Sequence, residues 1–439
     1  MLEKKIGMWV ATAVGLGAII GSGIFVLSGS AISLAGSNAL IAFVMVGIVA
    51  LIIAMEMGEL VSIMPYAKGG VYSYVREAFG SELGFITGII QYFSYSTSIS
   101  AIAIGFGAYA ASILGINYAF GPIALGISII IVLTLVNLLG TKTAAKADAY
   151  VVVVKIAALI IFSAFALVLA FFLGHFSPSN FSVSQSQAGI GSIFEASIAI
   201  MFAYSGFQTI ATISSRVKGG KLAAGKAIVL SVLISIVIYV LVVGSMMLLA
   251  PASGYKINAD PLAYALQASS APAYITDIVD IGAILATISA TLAMIMASSR
   301  MVYQMSEDKL LPKLLRKYNK DRDVAVNGVI LSAFLGIITM FAGNVFVIAA
   351  ISTFGILFYY IMAGLALMHF RRKNPEPGFK VPLYPYLTII ATAFLILLMY
   401  GMPSTALEIG VTMIIGLLVL YYILREADDK KVVKIKLFS

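Results

Sequence analysis

Glycine and serine residues interrupt two strongly apolar segments of the sequence. The first stretch, Gly15 to Phe25, reads Gly-Leu-Gly-Ala-Ile-Ile-Gly-Ser-Gly-Ile-Phe, and the second, Phe202 to Phe207, reads Phe-Ala-Tyr-Ser-Gly-Phe. Glycine weakens a helix by about 1 kcal/mol relative to alanine. A helix that breaks inside lipid is tolerated only beside protein or a water-filled cavity. Because Gly17 and Gly21 also form a Gly-x-x-x-Gly pair, the first stretch predicts either a helix-packing face or a broken helix that binds a solute.

Two broken helices that meet would supply the chemistry for a zwitterion. Backbone N–H groups freed at the start of a half-helix attract a carboxylate, and carbonyls freed at the end of one attract an ammonium group. An α-amino acid carries both groups, so we expect an amino acid to bind between the two stretches, with Phe202 as its gate. The candidate substrate-binding residues are Ile20, Gly21, Ser22, Gly23, Phe202, Ala203, Tyr204, Ser205 and Gly206.

A lysine lies inside the fifth apolar segment, where Lys155 follows four valines and precedes Ile156. A lysine at the centre of a membrane helix costs about 2.5–3.5 kcal/mol on insertion scales. It either reaches back to the membrane interface or serves a function at mid-depth. Burial disfavours the charged amine while nearby carbonyls favour it. Lys155 could therefore bind a proton in one conformation and release it in another.

The composition predicts a polytopic helical membrane protein, whose helices would position these groups. Of the 439 residues, 61% are hydrophobic and 11% are charged, and the mean hydropathy is +1.05. The chain has no cysteine, and its two histidines lie far apart, so we expect no metal site and no cofactor. The net charge of +9 does not indicate a nucleic-acid partner, because the basic residues fall between apolar spans.

Twelve apolar spans with short connections predict an all-α protein that crosses the lipid bilayer repeatedly, and we expect it in the cell membrane. Alternate connections hold 26 of the 28 basic residues, so the positive-inside rule places both termini in the cytoplasm, including a basic tail at 425–439. The spans are approximately 6–28, 38–63, 83–112, 120–140, 147–173, 190–214, 225–250, 274–300, 325–343, 346–370, 384–402 and 406–424.

The two glycine-serine stretches fall in the first and sixth spans, which predicts an internal repeat. Corresponding interruptions in two halves are typical of transporters built from inverted repeats. Residues 1–173, with spans one to five, would match residues 190–373, with spans six to ten. Five spans is an odd number, so the second half would enter the membrane upside down. Residues 384–424 would add the last two helices to this single transmembrane domain.

Short motifs in order along the chain resemble the amino acid–polyamine–organocation transporter superfamily. They are Ile19 to Phe25, Glu59-Leu60 with Pro65, Gly69 to Tyr74, Phe202 to Phe207, Ser299-Arg300, Asp308 to Pro312 and Phe379 to Pro382. The resemblance implies the leucine-transporter-like fold with five-plus-five repeats and broken helices one and six. It also implies a substrate carboxylate near Gly21, Ser22 and Gly23, with the amino group near Phe202, Ala203 and Ser205. Spans three, eight and ten would add Tyr95, Ser289 and Phe354.

Lys155 also stands seven residues after Asp148, a spacing that resembles the proton-coupled archaeal members. The resemblance implies that its ammonium replaces the sodium ion of sodium-coupled relatives, with the carbonyl of Gly17 and the hydroxyls of Thr287 and Ser289 as partners. Two positions depart from the family. Residues Ser214-Ser215-Arg216 lack the acids that many members have there, and Leu292 stands where many have asparagine.

The acidic residues near the span ends have simpler interpretations. Glu56 and Glu59 are expected to be interfacial acids that pair with a nearby base, with a proton relay as the alternative. Four further acids lie near the outer ends of their apolar spans, and we expect them to be solvated residues at the mouth of the protein. They are Glu195, Asp277, Asp280 and Glu408.

The leading functional prediction is secondary active transport of neutral amino acids with a proton, because we expect no acid to balance a cationic substrate side chain at mid-membrane. The alternative is an exchanger of amino acids or amines without net proton coupling. A channel is disfavoured because no ring of charges or repeated filter occurs. An enzyme is disfavoured because the sequence offers no metal-ligand pair, cysteine or recognisable triad.

Overall fold

The computed structural model describes most of the chain. The described residues are 6–64, 67, 69–116, 118, 120–172, 177–181, 189–213, 217–257, 259–373 and 377–429, without the side chains of 141–150, 212–213, 221 and 424–429. Several of the sequence features therefore lie outside the described structure. They are Pro65, the side chain of Asp148, the stretch Ser214 to Arg216, several basic residues of the connections and the end of the basic tail.

Helices form almost all of the described structure. Their bounds are α1 (Met8–Ile19), α2 (Ser28–Ala35), α3 (Asn38–Ile63), α4 (Val71–Phe79), α5 (Ser81–Leu114), α6 (Gly121–Leu139), α7 (Thr141–Leu167), α8 (Ile190–Tyr204), α9 (Thr209–Ile213), α10 (Gly220–Leu249), α11 (Pro261–Ala268), α12 (Ala273–Glu307), α13 (Val326–Thr339), α14 (Val345–Lys373), α15 (Tyr386–Tyr400) and α16 (Ser404–Asp429). Shorter elements are π-helical turns at Gly23–Leu27 and Val168–Phe172, 3-10 turns at Pro178–Phe181, Ala252–Gly254 and Lys313–Arg316, and a two-stranded hairpin of Tyr318–Asn319 and Val324–Ala325.

The described helices include ten segments that are long and apolar enough to cross a membrane. Two shorter apolar helices, α13 with 14 residues and α15 with 15, occupy the positions of the predicted spans 325–343 and 384–402. Because lipid offers no hydrogen-bond partner to a bare backbone, apolar runs of this length fold as helices. The chain is a mostly helical, multi-pass membrane protein.

The first apolar span is interrupted in its middle. Helix α1 ends at Ile19, residues Ile20 and Gly21 are non-helical, and the chain resumes through the π-helical turn into α2. Glycine serves both the break and the packing here. A Cβ atom on Gly21 would lie 2.9 Å from Cβ of Ala290, and one on Gly23 would overlap the backbone of Ala203.

The sixth span is interrupted in the same manner. Helix α8 ends at Tyr204, residues 205–208 form turns, and α9 begins at Thr209. Gly206 has φ +117°, a conformation that an L side chain rarely adopts, and a Cβ atom there would overlap the carbonyl of Ala18. The backbones of the two interruptions are therefore in direct contact.

An ion pair closes one end of the bundle between α3 and α14. The carboxylate of Glu59 is fully buried, accepts hydrogen bonds from Nε and Nη2 of Arg371, and also accepts the amide of Val381 at 2.6 Å. The predicted pairing of Glu59 with a base is confirmed. Glu56 differs, because it is 1% exposed and its Oε1 has no hydrogen-bond partner within the described structure.

The expectation that Asp280 is a solvated mouth residue is wrong. It lies in the second turn of α12 and is 2% exposed, because α12 is covered there by neighbouring helices. Asp277, one turn nearer the helix start, is exposed, as is Glu408 of α16, and Glu195 of α8 is half-buried.

Candidate functional site

A small cavity lies where the two helix interruptions meet. Its volume is about 20 Å³, which is room for about one water molecule. Its walls are Ala18, Ile19, Gly21, Ser22, Gly23, Ser98, Ile102, Phe202, Ser205, Ala290 and Met294. All of these side chains are uncharged, so the described lining suits a solute without a net side-chain charge.

The polar groups of the cavity belong mainly to the backbone. The carbonyl ends of α1 and α8 both terminate at the cavity, and the helical segment that follows Gly21 begins there. The first amides of a helical segment have no acceptor within their own helix, and the last carbonyls have no donor. The geometry thus places amide donors and carbonyl acceptors around one small space.

Some of these carbonyls already have partners inside the protein. The hydroxyl of Tyr239, on α10, lies 2.8 Å from the carbonyl of Ile19 and 3.0 Å from that of Ala203, and it can donate to either. Ser205 donates its hydroxyl to the carbonyl of Phe202 at 2.7 Å. A single tyrosine therefore links the ends of α1 and α8. Tyr239 was not predicted, because a tyrosine in an apolar span has the same pattern as a packing residue.

Lys155 is fully buried on α7, so it does not reach the interface. Its Nζ donates to the carbonyl of Gly17 at 2.5 Å, close to the end of α1. A carbonyl near a helix C-terminus carries part of the negative end of the helix dipole and stabilises a nearby cation. The structure thus brings together two of the four residues that were predicted to form the proton site.

The other two predicted partners lie on α12. Thr287 directs its hydroxyl to the carbonyls of Ala283 and Ile284, at 2.9 Å each, and Ser289 is 4% exposed. Helix α12 packs tightly against α7, because a Cβ atom on Gly282 would overlap Ala158. Both hydroxyl residues therefore belong to the helix that lies against the lysine-bearing helix.

A second polar cluster lies beyond the sixth-span interruption. Oε1 of Gln208 accepts the amide of Gly206 at 2.9 Å and the hydroxyl of Tyr360 at 2.8 Å, and Nε2 donates to Tyr359 at 3.1 Å. The ring of Tyr95 contacts Tyr359 edge to face. Gln208 was not predicted, although a buried amide within an apolar span is a recognisable sequence signal. The cluster holds the turn that follows α8 against α14.

Not every predicted substrate residue lines the cavity. Tyr95 accepts a hydrogen bond from Gln91 at 2.8 Å and belongs to the Gln208 cluster, while Phe354 packs on Gly410 of α16. Tyr204 donates to the carbonyl of Phe43 at 3.1 Å. The residues Ser98, Ile102, Ala290 and Met294, which the sequence analysis did not select, form the wall instead. These residues can be identified only from the packing of α5 against α12, which no local sequence pattern reveals.

Within the described residues, no group of three or more histidine, aspartate or glutamate side chains is placed to hold a metal ion. The helix interruptions present backbone dipoles and hydrogen-bonding groups, and Lys155 is a nearby titratable group.

Comparison with known proteins gives the family. The family model described as amino acid permease matches residues 6–424. The branched-chain amino acid permease BcaP of Bacillus subtilis is 27% identical, over 98% of this chain and 94% of the relative. The methylthioribose transporter of the same organism is 28% identical, over 96% and 93%. Its serine/threonine exchanger SteT is 26% identical, over 96% and 97%. These relatives are transporters and not enzymes, and the chain belongs to the amino acid permease family of the amino acid–polyamine–organocation superfamily.

Proposed function

We propose that the protein is a secondary active transporter that moves neutral amino acids together with protons by alternating access. The observation that carries the proposal is the meeting of two interrupted helices at one uncharged cavity. The amides at Gly21, Ser22 and Gly23 would bind the substrate carboxylate. The carbonyls at the end of α8, near Phe202, Ala203 and Ser205, would bind its amino group.

The walls of the cavity support a neutral substrate. Ile102, Met294 and Phe202 are apolar, and Ser98 of α5 adds an uncharged hydroxyl to the lining. A cationic or anionic side chain would enter this space without a counter-charge, which is costly in a desolvated site. The similarity to a branched-chain amino acid permease and to a serine/threonine exchanger agrees with a neutral substrate.

The size of the cavity supports alternating access. A space for about one water molecule is too small for an amino acid. Substrate binding therefore requires the halves of the interrupted helices to separate, and release requires them to separate towards the other side. Phe202, at 5% exposure, covers the cavity and would move as its gate.

We further propose twelve transmembrane helices in which 1–173 and 190–373 form two inverted repeats, with 384–424 as an additional pair. The interruptions in the first and sixth of the predicted spans support this arrangement. The bias of basic residues supports a cell-membrane protein with cytoplasmic termini.

Lys155 is the proposed coupling residue. When it is protonated, its bond to Gly17 would hold α1 against α7, and deprotonation would release α1. The free energy of the proton gradient would then act on the same helix that carries the substrate amides. Thr287 and Ser289 would provide further contacts from α12.

An exchanger without net proton coupling is the alternative, favoured by the similarity to SteT. Purified protein in liposomes separates the two. We expect accumulation of radiolabelled leucine or alanine when the outside is acidic, and competition by neutral but not by charged amino acids. Counterflow without gradient-driven accumulation would establish the exchanger. Competition by lysine or glutamate, equal to that by leucine, would overturn the proposed substrate class.

A further inference from the structure

Asp280 is a buried acid that the proposed transport mechanism does not use. It is the eighth residue of α12, and it is 2% exposed. Its Oδ1 is inaccessible to solvent and has no hydrogen-bond partner within the described structure. An ionised carboxylate in such a position loses its hydration without compensation, whereas a protonated carboxyl loses far less.

The titratable side chains described around Asp280 are two acids and a tyrosine whose hydroxyl is already hydrogen-bonded elsewhere. Asp260, just before α11, and Asp277, on α12 itself, are near enough to interact electrostatically with Asp280. From α5, Tyr109 faces both Asp260 and Asp280, but it donates its hydroxyl to the carbonyl of Phe25 at 2.5 Å. Helices α6 and α13, which also pack on α12, carry no titratable residue.

The nearest basic residue on a helix that packs against α12 is Lys155 of α7, and it lies deeper in the bundle than Asp280. Lys155 of α7 is three residues from Ala158, which contacts Gly282 of α12. The fifth and eighth spans run in opposite directions, so Lys155 and Asp280 are separated by about five helical residues, or about 7 Å along the axes. Lys155 is hydrogen-bonded to Gly17. An ionised Asp280 would therefore be close to the negative charges of Asp260 and Asp277, which lie at the same depth in the bundle, and farther from the positive charge of Lys155.

Helix α11 begins directly after Asp260 and lies against the helix that carries Asp280. It packs on α12, on α2 and on the π-helical turn that follows the first interruption. Asp260 immediately precedes it and caps none of its amides, and burial raises the pKa of the Asp260 carboxyl. Seating α11 against α12 therefore brings two carboxyl groups together, and lifting it would expose both to water.

We propose that Asp280 is a proton-binding site that is occupied when α11 seats against α12. In the seated arrangement the side chain is a neutral carboxyl. When α11 lifts, the carboxyl meets water, its O–H bond breaks and the proton passes to solvent, leaving a carboxylate. Because α11 connects two spans on the side opposite the basic connections, the proposal rests on the proposed topology to place this site at the outer mouth of the transporter.

Infrared spectroscopy tests the site without any substrate. The full-length protein in lipid nanodiscs is titrated while the carbonyl stretch of protonated carboxyls is recorded. We expect one component of this band to persist at neutral pH, to be lost in Asp280→Asn, and to remain in Asp277→Asn, which removes an exposed acid one turn away. Glu56, which is also buried, would contribute a remainder that all of these variants share. Persistence of the whole band in a folded Asp280→Asn would overturn the proposal.

A second variant keeps the test decisive if Asp280→Asn does not fold. In Asp260→Asn, Asp280 no longer faces a second negative charge, so its proton is bound less tightly. We expect the band to titrate at lower pH than in the wild type. A band that titrates at the wild-type pH would contradict the pairing of the two acids.

A transport measurement distinguishes this proposal from the proposed function. In leucine counterflow, we expect the wild type and Asp277→Asn to slow as external pH rises, and Asp280→Asn to slow less steeply, because Lys155 is then the proton-binding residue that remains. If Asp280→Asn slows as the wild type does, the link to α11 is wrong. If the wild type moves no amino acid at all, the transport function is wrong, while the infrared titration still decides whether Asp280 binds a proton.

Discussion

The Nζ atom of Lys155 lies 2.5 Å from the carbonyl oxygen of Gly17, deep inside the helical bundle. This bond joins α7 to the end of α1, three residues before the first interruption begins. The lysine therefore contacts the helix whose next residues, Ala18 and Ile19, line the cavity.

Replacement of Lys155 by methionine, which has a similar length and no charge, should remove proton-driven accumulation but leave counterflow measurable. The reason is that the variant cannot bind a proton, while the cavity walls remain unchanged. Uptake and counterflow in liposomes at two external pH values measure both effects. Lys142→Met, on the same helix near its start, is the control and should behave as the wild type. Accumulation at the wild-type level in Lys155→Met would rule the lysine out.

Replacement of Tyr239 by phenylalanine should slow transport and lower stability. It removes the hydroxyl shared by the carbonyls of Ile19 and Ala203 but keeps the ring. Loss of one buried hydrogen bond costs about 1 kcal/mol. Tyr255→Phe is a matched control, because Tyr255 donates to one carbonyl, that of Met246, away from the cavity. We expect similar losses in melting temperature and a loss of transport in Tyr239→Phe alone. Equal transport rates in the two variants would show that the link between the helix ends is not functional.

Replacement of Glu59 by glutamine should destabilise the protein strongly. The substitution leaves the guanidinium of Arg371, whose side chain is 16% exposed, without its counter-charge. Breaking a buried pair from one side costs about 3–5 kcal/mol. Asp323→Asn breaks the exposed pair with Arg300, at 34% and 40% exposure, and should cost less than about 1 kcal/mol. Thermal unfolding in detergent, followed by fluorescence, compares them. A smaller decrease in melting temperature for Glu59→Gln than for Asp323→Asn would show that the buried pair does not stabilise the protein more than the exposed pair.

Replacement of Gly23 by alanine should abolish transport, because the added methyl group would overlap the backbone of Ala203 where the two interruptions meet. Gly244→Ala, in α10, is the control, since its methyl group would make an ordinary contact with Leu40 of α3 at 3.9 Å. In a helix such as α10, alanine is favoured over glycine by about 1 kcal/mol. Transport rate and melting temperature should therefore fall in the first variant and be preserved or rise in the second. Normal transport by Gly23→Ala would contradict the close approach.

The local sequence was sufficient for the elements but not for their contacts. Runs of apolar residues long enough to cross lipid can satisfy their backbone only as helices, which is why α3, α5 and α10 could be predicted from composition alone. The interruptions at Gly21 and Gly206 were also predictable, because glycine is the residue that weakens a helix and permits a positive φ.

Other features required the three-dimensional arrangement. Asp277 and Asp280 have the same residue type and nearly the same position in α12, yet one is exposed and the other buried, because burial depends on which face of the helix α5 and α11 cover. Tyr239 and Met294 carry no local signal that distinguishes them from ordinary packing residues. Their roles appear only when distant helices cross.

The sequence by itself determined that this protein is a helical membrane protein with two weakened helices and one lysine inside an apolar span, because these properties follow from residue type and spacing along a single helix. The tertiary structure decided which carbonyl the lysine binds, which side chains wall the cavity and which acid is shielded from water. Those contacts join residues more than a hundred positions apart in several cases, and their partners are set by helix packing, which no single segment encodes.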